Sequence, residues 1–458
     1  MKNRILLLMM ASGLIATAQL DKSSCPANLS IFAEFAKVKN YDSAYQPWLE
    51  VRNNCPELNV ATFKYGERIL NHKIKNATDD KAALQASLMS LYDDWLTYFP
   101  NTKRGASEVG KILSSKAQAM VENKLGTKRE AYEIFDQAFT QDPNSFTSPK
   151  RLYTYFKTAY QLYKQGDKTA EVLFDKYEEV SEKFVLEQTN LAKKLDVILK
   201  KLETGEALTS REQRNKRVYE TNTFAFSTYA GNLDAMISKE SSCENLIPLY
   251  RKNFEANRSN SVWLNRAASR MDAKECADDP LFVELVEALH AINPSANSAY
   301  YLGILKDKAG ERKAALAYYE ESLTLEQDQY RKADILYKIA VKFKKRNLKS
   351  KSRSYARKAL KNRPSMGKAY MLIASLYAAS ANDCGNTQFE KRAVYWLAAK
   401  TARKAATVDS GVKKTALKLA ASYEGRAPSK TDIFTEGRAG ETISFSCWIN
   451  SSVTVPQL

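Results

Sequence analysis

The feature that most constrains this chain is a recurrence of small residues among aromatics, at near-constant intervals, in its C-terminal half. Gly303, Ala340 and Ala374 stand 37 and 34 positions apart. Around the first, Tyr301, Leu302, Gly303 and Leu305 fit one helix, Gly310 breaks it, and Ala314, Ala315, Tyr318, Tyr319, Ser322 and Leu323 fit a second. Small side chains at Gly303 and Ala315 let two helices approach closely, and the tyrosines fill the space beside them. The next unit repeats the design with Ala340, Phe343, Asn347, Tyr355, Ala359, Leu360 and a closing Pro364. A third offers Ala374 and Tyr377 and, after an insertion, Trp396, Leu397, Ala402 and Ala405. One such hairpin cannot bury its apolar face alone, so the pattern predicts a stack of hairpins and an all-α chain.

The Tyr-Leu-Gly at 301–303, the Ala-rich second helices, Lys358-Ala359-Leu360 and Pro364 resemble the tetratricopeptide-repeat (TPR) consensus. The N-terminal half matches less cleanly. Arg129–Pro143 looks like a second helix, Leu152–Gly166 like a first helix, and Trp48, Phe63, Tyr65, Gly66 and Ile69 like an irregular opening unit. The resemblance implies a TPR-like α-solenoid of antiparallel helix hairpins. Combined with the Asp383-Cys384-Gly385 insertion and the Cys447-Trp448-Ile449 tail, it is also similar to exported TPR proteins common in Bacteroidetes, which implies a periplasmic home. Between the halves, Leu191, Leu195, Ile198 and Leu202 form one helical stripe. Thr204-Gly205-Glu206 then breaks the helix, and Ser210-Arg211-Glu212-Gln213 resembles a capping box. Near the end, Glu441–Ile449 alternates apolar and polar residues as a half-buried strand does. Ile433-Phe434 and Val453-Thr454-Val455 complete a small C-terminal β element that must dock on the last helices, since two or three short strands do not stand alone. The expected division is a signal segment at 1–18, an irregular helical array at 19–184, a long atypical hairpin at 185–240, a C-terminal array at 241–425 and the β extension at 426–458.

Lys2 and Arg4, the apolar run Ile5–Ala16 and Ala16-Thr17-Ala18 have the order of a secretory signal, giving a mature chain from Gln19. The apolar run is shorter than the roughly 20 residues a bilayer span needs. No later segment is longer, so no transmembrane segment is expected. Six cysteines in an exported chain read as a disulfide set. Because each repeat of a solenoid touches its neighbours only, the favoured pairs are nearest in sequence: Cys25 with Cys55, Cys243 with Cys276, and Cys384 with Cys447. The formal charge of +18 loses two with Lys2 and Arg4 and still favours acidic partners: headgroups, anionic glycans or acidic protein surfaces. Nucleic acid is not expected for an exported protein.

Catalytic signatures are missing. His72 and His290 lie in no metal-ligand pattern. There is no phosphate-binding Gly-rich loop, no dinucleotide turn and no Gly-x-Ser-x-Gly elbow, so no cofactor, metal or catalytic residue is assigned. The remaining signal is charge: Arg331–Lys368 is crowded with Lys and Arg and holds a single acid, Asp334. In TPR proteins the first helix of each hairpin lines the concave groove. By that resemblance Tyr301, Lys308, Lys338, Lys344 and Lys345 face a ligand, where lysines attract a carboxylate, a phosphate or an acidic helix. The lysine and asparagine set of the carboxylate-clamp TPR domains is not reproduced. The expected function is a non-enzymatic exported scaffold that binds a protein partner with an acidic surface in a cell-envelope complex. One alternative is direct binding of anionic envelope polymer, lipopolysaccharide or peptidoglycan; a second is an unrecognised hydrolase using a carboxylate pair.

Overall fold

The computed structural model describes residues 22–458, so the expected signal segment lies outside the described residues. The described residues divide into two compact units, one ending at Arg151 and the other running from Leu152 to Leu458.

The first unit is built of antiparallel pairs: α1 (Cys25–Lys37) with α2 (Tyr41–Asn54), α3 (Ala61–Asn76) with α4 (Lys81–Tyr98), and α5 (Val109–Asn123) with α6 (Lys128–Gln141). A disulfide ties Cys25, at the start of α1, to Cys55, just past α2. Trp48 anchors the core: its indole N–H donates to the Thr62 carbonyl at 2.7 Å, and its ring lies against Gly66. A Cβ at Gly66 would sit 2.6 Å from that nitrogen, so only glycine lets α2 and α3 come this close. Helix α6 starts where Thr127 and Glu130 cap each other's backbone, a reciprocal capping box.

The second unit opens with α7 (Pro149–Lys164) and two long helices, α8 (Ala170–Glu203) and α9 (Ser210–Ile237), which pack against each other. The expected break at Thr204–Glu206 is present, with Gly205 at φ +79°. The cap of α9 sits one residue earlier than the sequence suggests. Thr209, in extended backbone, accepts from the Glu212 N–H, and the Glu212 carboxylate accepts from the Thr209 N–H. After α10 (Cys243–Asn257) come the regular pairs: α11 (Ser261–Ala273) with α12 (Pro280–Ile292), α13 (Ala296–Lys308) with α14 (Arg312–Leu325), α15 (Gln329–Lys345) with α16 (Lys349–Asn362), and α17 (Gly367–Ala378) with α18 (Gln388–Val408). The Cys243–Cys276 disulfide joins the start of α10 to the loop after α11.

Close approach in α13 and α14 works as the residue sizes require. A Cβ on Gly303 would fall 2.5 Å from the Tyr319 ring and 3.3 Å from the Ala315 carbonyl. Helices α19 (Lys413–Glu424) and α20 (Lys430–Glu436) lead to β1 (Thr442–Phe445) and β2 (Ser451–Thr454). The strands pair antiparallel, with Ile443 opposite Val453, and bury Ile443, Phe445 and Val453. Ile433 and Phe434 are helical, not part of this sheet. Ser429 and Asp432 form a capping box ahead of them, and Gly437 in the left-handed region ends the turn behind them. Cys447, Trp448 and Ile449 form the connecting turn rather than extending β1, and Cys447 is disulfide-bonded to Cys384.

Candidate binding face of the C-terminal array

Helices α11, α13, α15 and α17 are the first members of their pairs, the elements expected to line a ligand groove. In the structure α8 runs along them. Near its start Glu178 meets Arg270 and Glu182 meets Arg266, both on α11, the latter through two hydrogen bonds of 2.9 and 2.8 Å. Two turns from its centre, Lys193 pairs with Asp328 at 2.9 Å. Asp196 accepts from the Tyr330 hydroxyl at 2.8 Å and from the Ser365 N–H at 3.0 Å. Leu195 and Leu199 pack on Val408 and Tyr370, and Glu203 meets Lys404. A helix of 34 residues is about 50 Å long, which is enough to reach from α11 to the end of α18. Of the stripe expected on it, Leu191, Leu195 and Ile198 are buried, whereas Leu202 is 45% exposed and Leu199 takes the fourth place.

Desolvation is costly along this contact. Burial works against the charge of Arg270, but the adjacent Glu178 carboxylate and the Tyr177 hydroxyl hold the guanidinium above its ordinary value. Burial raises Glu178 above the usual carboxylate range, against the pull of Arg270. For Arg270 the pairing outweighs the loss of water, whereas for Glu178 burial outweighs the pairing, so the carboxylate carries the cost of the contact. Asp196 is raised in the same way, with the Tyr330 and Ser365 hydrogen bonds pulling it back.

The five residues expected to face a ligand are not brought together. Tyr301 is 1% exposed and packs edge-on against Phe282, so it belongs to the core and offers no groove surface. Lys308 is paired with Asp278, and Lys345 with Glu275 at 2.5 Å, both acids lying in the loop between α11 and α12. Lys344 points toward the next pair and donates to the Ser375 hydroxyl at 2.9 Å. Lys338 alone sits beside α8. Its ammonium lies 5.4 Å from the Tyr300 ring centre and makes no ion pair or hydrogen bond among the described residues. Burial depresses it below the ordinary lysine value, partly offset by Asp272 and Asp334.

The docking of α8 is what sequence reasoning missed. Its signal was the placement of Glu178 and Glu182 one turn apart, followed by Asp196 within the apolar stripe, which reads as a solvated face until the partners on α11 and α15 are known.

A cleft of about 550 Å³ remains where α8 and α9 lie over α15 and the starts of α17 and α19. Among the described residues no group of three metal-ligating side chains occurs, and no helix is long and apolar enough to cross a membrane. The recurring hairpins, with Gly303 and Ala315 at the point of closest approach, decide the fold class.

The fold is TPR-like. No family model matches the chain, and no curated protein does. Similar solved structures include a tetratricopeptide repeat protein from Parabacteroides merdae, 12% identical, with 68% of this chain and 97% of that one covered and a TM-score of 0.24. Yeast Tom70 is 11% identical over 88% and 96% of the two chains, with a TM-score of 0.27. The human IFIT1 dimer with PPP-AAAA is 16% identical over 88% and 95%, also with a TM-score of 0.27. At TM-scores this low the hairpin geometry itself carries the fold assignment.

Proposed function

We propose that the chain is a non-enzymatic exported scaffold that binds an acidic segment of a protein partner and helps organise an envelope complex. The observation that carries this reading is the outer face of α16. Its sequence, Lys349–Asn362, contains no acid. Arg357, Lys358 and Lys361 are exposed on it, beside Arg353, Ser350 and Ser354, around a shallow depression of about 490 Å³. Lys349 is paired with Asp383, and Arg353 is held by the carbonyls of Trp448 and Ile449. Arg357, Lys358 and Lys361 have no carboxylate partner among the described residues. An unneutralised cationic face of this kind draws acidic surfaces and fixes their orientation.

Three disulfides fit an oxidising compartment. With the signal-like N-terminus they support the periplasm as its home. Crosslinking in the native envelope followed by mass spectrometry identifies the partner. Arg357→Glu, Lys358→Glu and Lys361→Glu together are expected to release it, and retention of the partner by this variant rejects the assignment. Capture of purified lipopolysaccharide or peptidoglycan without any protein, lost steeply with salt, favours the polymer reading instead.

A further inference from the structure

We infer that the cleft between the α8–α9 hairpin and α15 is a binding site for a small hydroxylated anion, of the chemistry of a sugar acid or sugar phosphate. The inference is independent of the α16 face.

Size comes first. The cleft volume of about 550 Å³ lies within the roughly 300–1,000 Å³ typical of small-molecule sites. It is open enough to be entered, and its lining side chains are mostly half-buried.

Charge comes second. Lys338, Arg363 and Lys368 line the cleft, against the carboxylates of Asp334 and Asp409. Asp334 is already engaged by Lys368 at 2.8 Å and Arg363 at 3.8 Å. Asp409 is taken up as a backbone cap, accepting from the Gly367 N–H at 3.2 Å and the Gly411 N–H at 2.9 Å. Lys338 is left without a direct ion pair or hydrogen bond among the described residues, because the nearby carboxylates of Asp272 and Asp334 are held by Lys342, Lys368 and Arg363. An ammonium drawn out of water with no partner is destabilising, and an anion entering the cleft supplies the missing partner.

The opposite wall gives the rest of the chemistry. Gln188 on α8 and Thr223 and Ser227 on α9 face the same space and make no side-chain hydrogen bond among the described residues. An amide and two hydroxyls both donate and accept, as hydroxyl groups of a ligand require. Tyr337 adds a ring wall, with the Lys368 ammonium 4.7 Å from its centre. A bare inorganic anion would satisfy Lys338 and leave this wall unused. A sugar carrying a carboxylate or phosphate uses both sides and bridges the hairpin to the array.

The test uses the full mature chain with glucuronate, glucose 6-phosphate, glucose and inorganic phosphate as probes, read by calorimetry and thermal melting. At least one anionic sugar is expected to bind and raise Tm, with glucose silent and phosphate much weaker. The preferred probe tells carboxylate from phosphate. Lys338→Met is expected to weaken binding about tenfold or more while raising the Tm of the ligand-free protein, since a thioether replaces an unpartnered ammonium. A purely structural lysine would lower Tm instead. Gln188→Ala, on the other wall, is expected to weaken the sugar anion and leave phosphate unchanged. Silence of both anionic sugars, equal binding by Lys338→Met, or phosphate binding as tightly as the sugar phosphate each overturns the proposal. None of these outcomes bears on partner capture by α16.

Discussion

Arg270 on α11 and Glu178 on α8 form an ion pair whose side chains are 8% and 14% exposed, with the guanidinium 3.9 Å from the centre of the Tyr177 ring. The pair fixes one end of the long helix to the array. Arg270→Ala leaves a carboxylate buried without its partner and is expected to cost about 3–5 kcal/mol in urea denaturation. Replacing both partners with apolar residues, Arg270→Met with Glu178→Leu, is expected to recover most of that loss, because neither charge then has to leave water. Hydrogen exchange along 170–185 should rise in the single variant and not in the double. Wild-type stability in Arg270→Ala would show that α8 is held by its other contacts alone.

Gly303→Ala tests the packing of a single repeat. The new methyl group meets the Tyr319 ring, which is itself 1% exposed and has nowhere to retreat. Overpacking of this kind costs about 1–3 kcal/mol. Adding Tyr319→Leu should return part of it, a non-additivity that a thermal-melt double-mutant cycle reads directly.

The repeats were legible because their logic is local. Gly303 with Ala315, and Phe343 with Tyr355, lie within one hairpin, so a reader of the chain sees both partners in a single window. The disulfides were legible for a related reason: Cys243 and Cys276 belong to adjoining elements. What could not be read is pairing across long separations. Lys345 meets Glu275 and Asp196 meets Ser365, contacts that exist only once the array has stacked. Thus a lysine-rich helix looked like a ligand groove, while α8, the segment that covers those first helices, looked like a connector. Ile433 and Phe434 failed differently. Their apolar pair suits a strand, but Ser429, Asp432 and Gly437 supply both ends of a short helix, and the caps prevail.

Acid should loosen the tip of the α8–α9 hairpin. The Lys201 ammonium, 2.5 Å away, and the Thr209 N–H and hydroxyl hold the Glu212 carboxyl down to about 2, from 4.5. A carboxylate with a depressed folded-state value stabilises the fold above its unfolded value. That contribution is lost as pH falls from about 4.5 toward 2. The protection of the 201–212 amides, taken relative to their intrinsic exchange rate at each pH, is therefore expected to fall across this window. Glu212→Gln should show faster exchange already at pH 7 and a flatter response to acid. An unchanged pH profile in that variant would place the acid-sensitive group elsewhere.

The C-terminal strands offer the sharpest separation of local from global stability. Two four-residue strands bury three apolar side chains, too little to hold on their own. Their attachment rests on the Cys384–Cys447 bond, on Arg353 donating to the Trp448 carbonyl at 2.9 Å with its guanidinium 5.0 Å from the indole centre, and on the Trp448 N–H donating to the Ser380 hydroxyl at 3.1 Å. Closing a loop across a sequence separation of 63 restricts the open state by about 4 kcal/mol in the chain-entropy view. Cys384→Ser with Cys447→Ser is therefore expected to speed exchange of the 442–454 amides by about a thousandfold. The polar contacts and the burial of Ile443, Phe445 and Val453 then hold the strands. Amides of α13 to α16 should keep their protection, because Gly303 against Tyr319 and Phe343 against Tyr355 do not depend on the tail. Loss of protection throughout 261–408 in this variant would mean instead that the strands cap the array and that its last hairpins cannot persist without them.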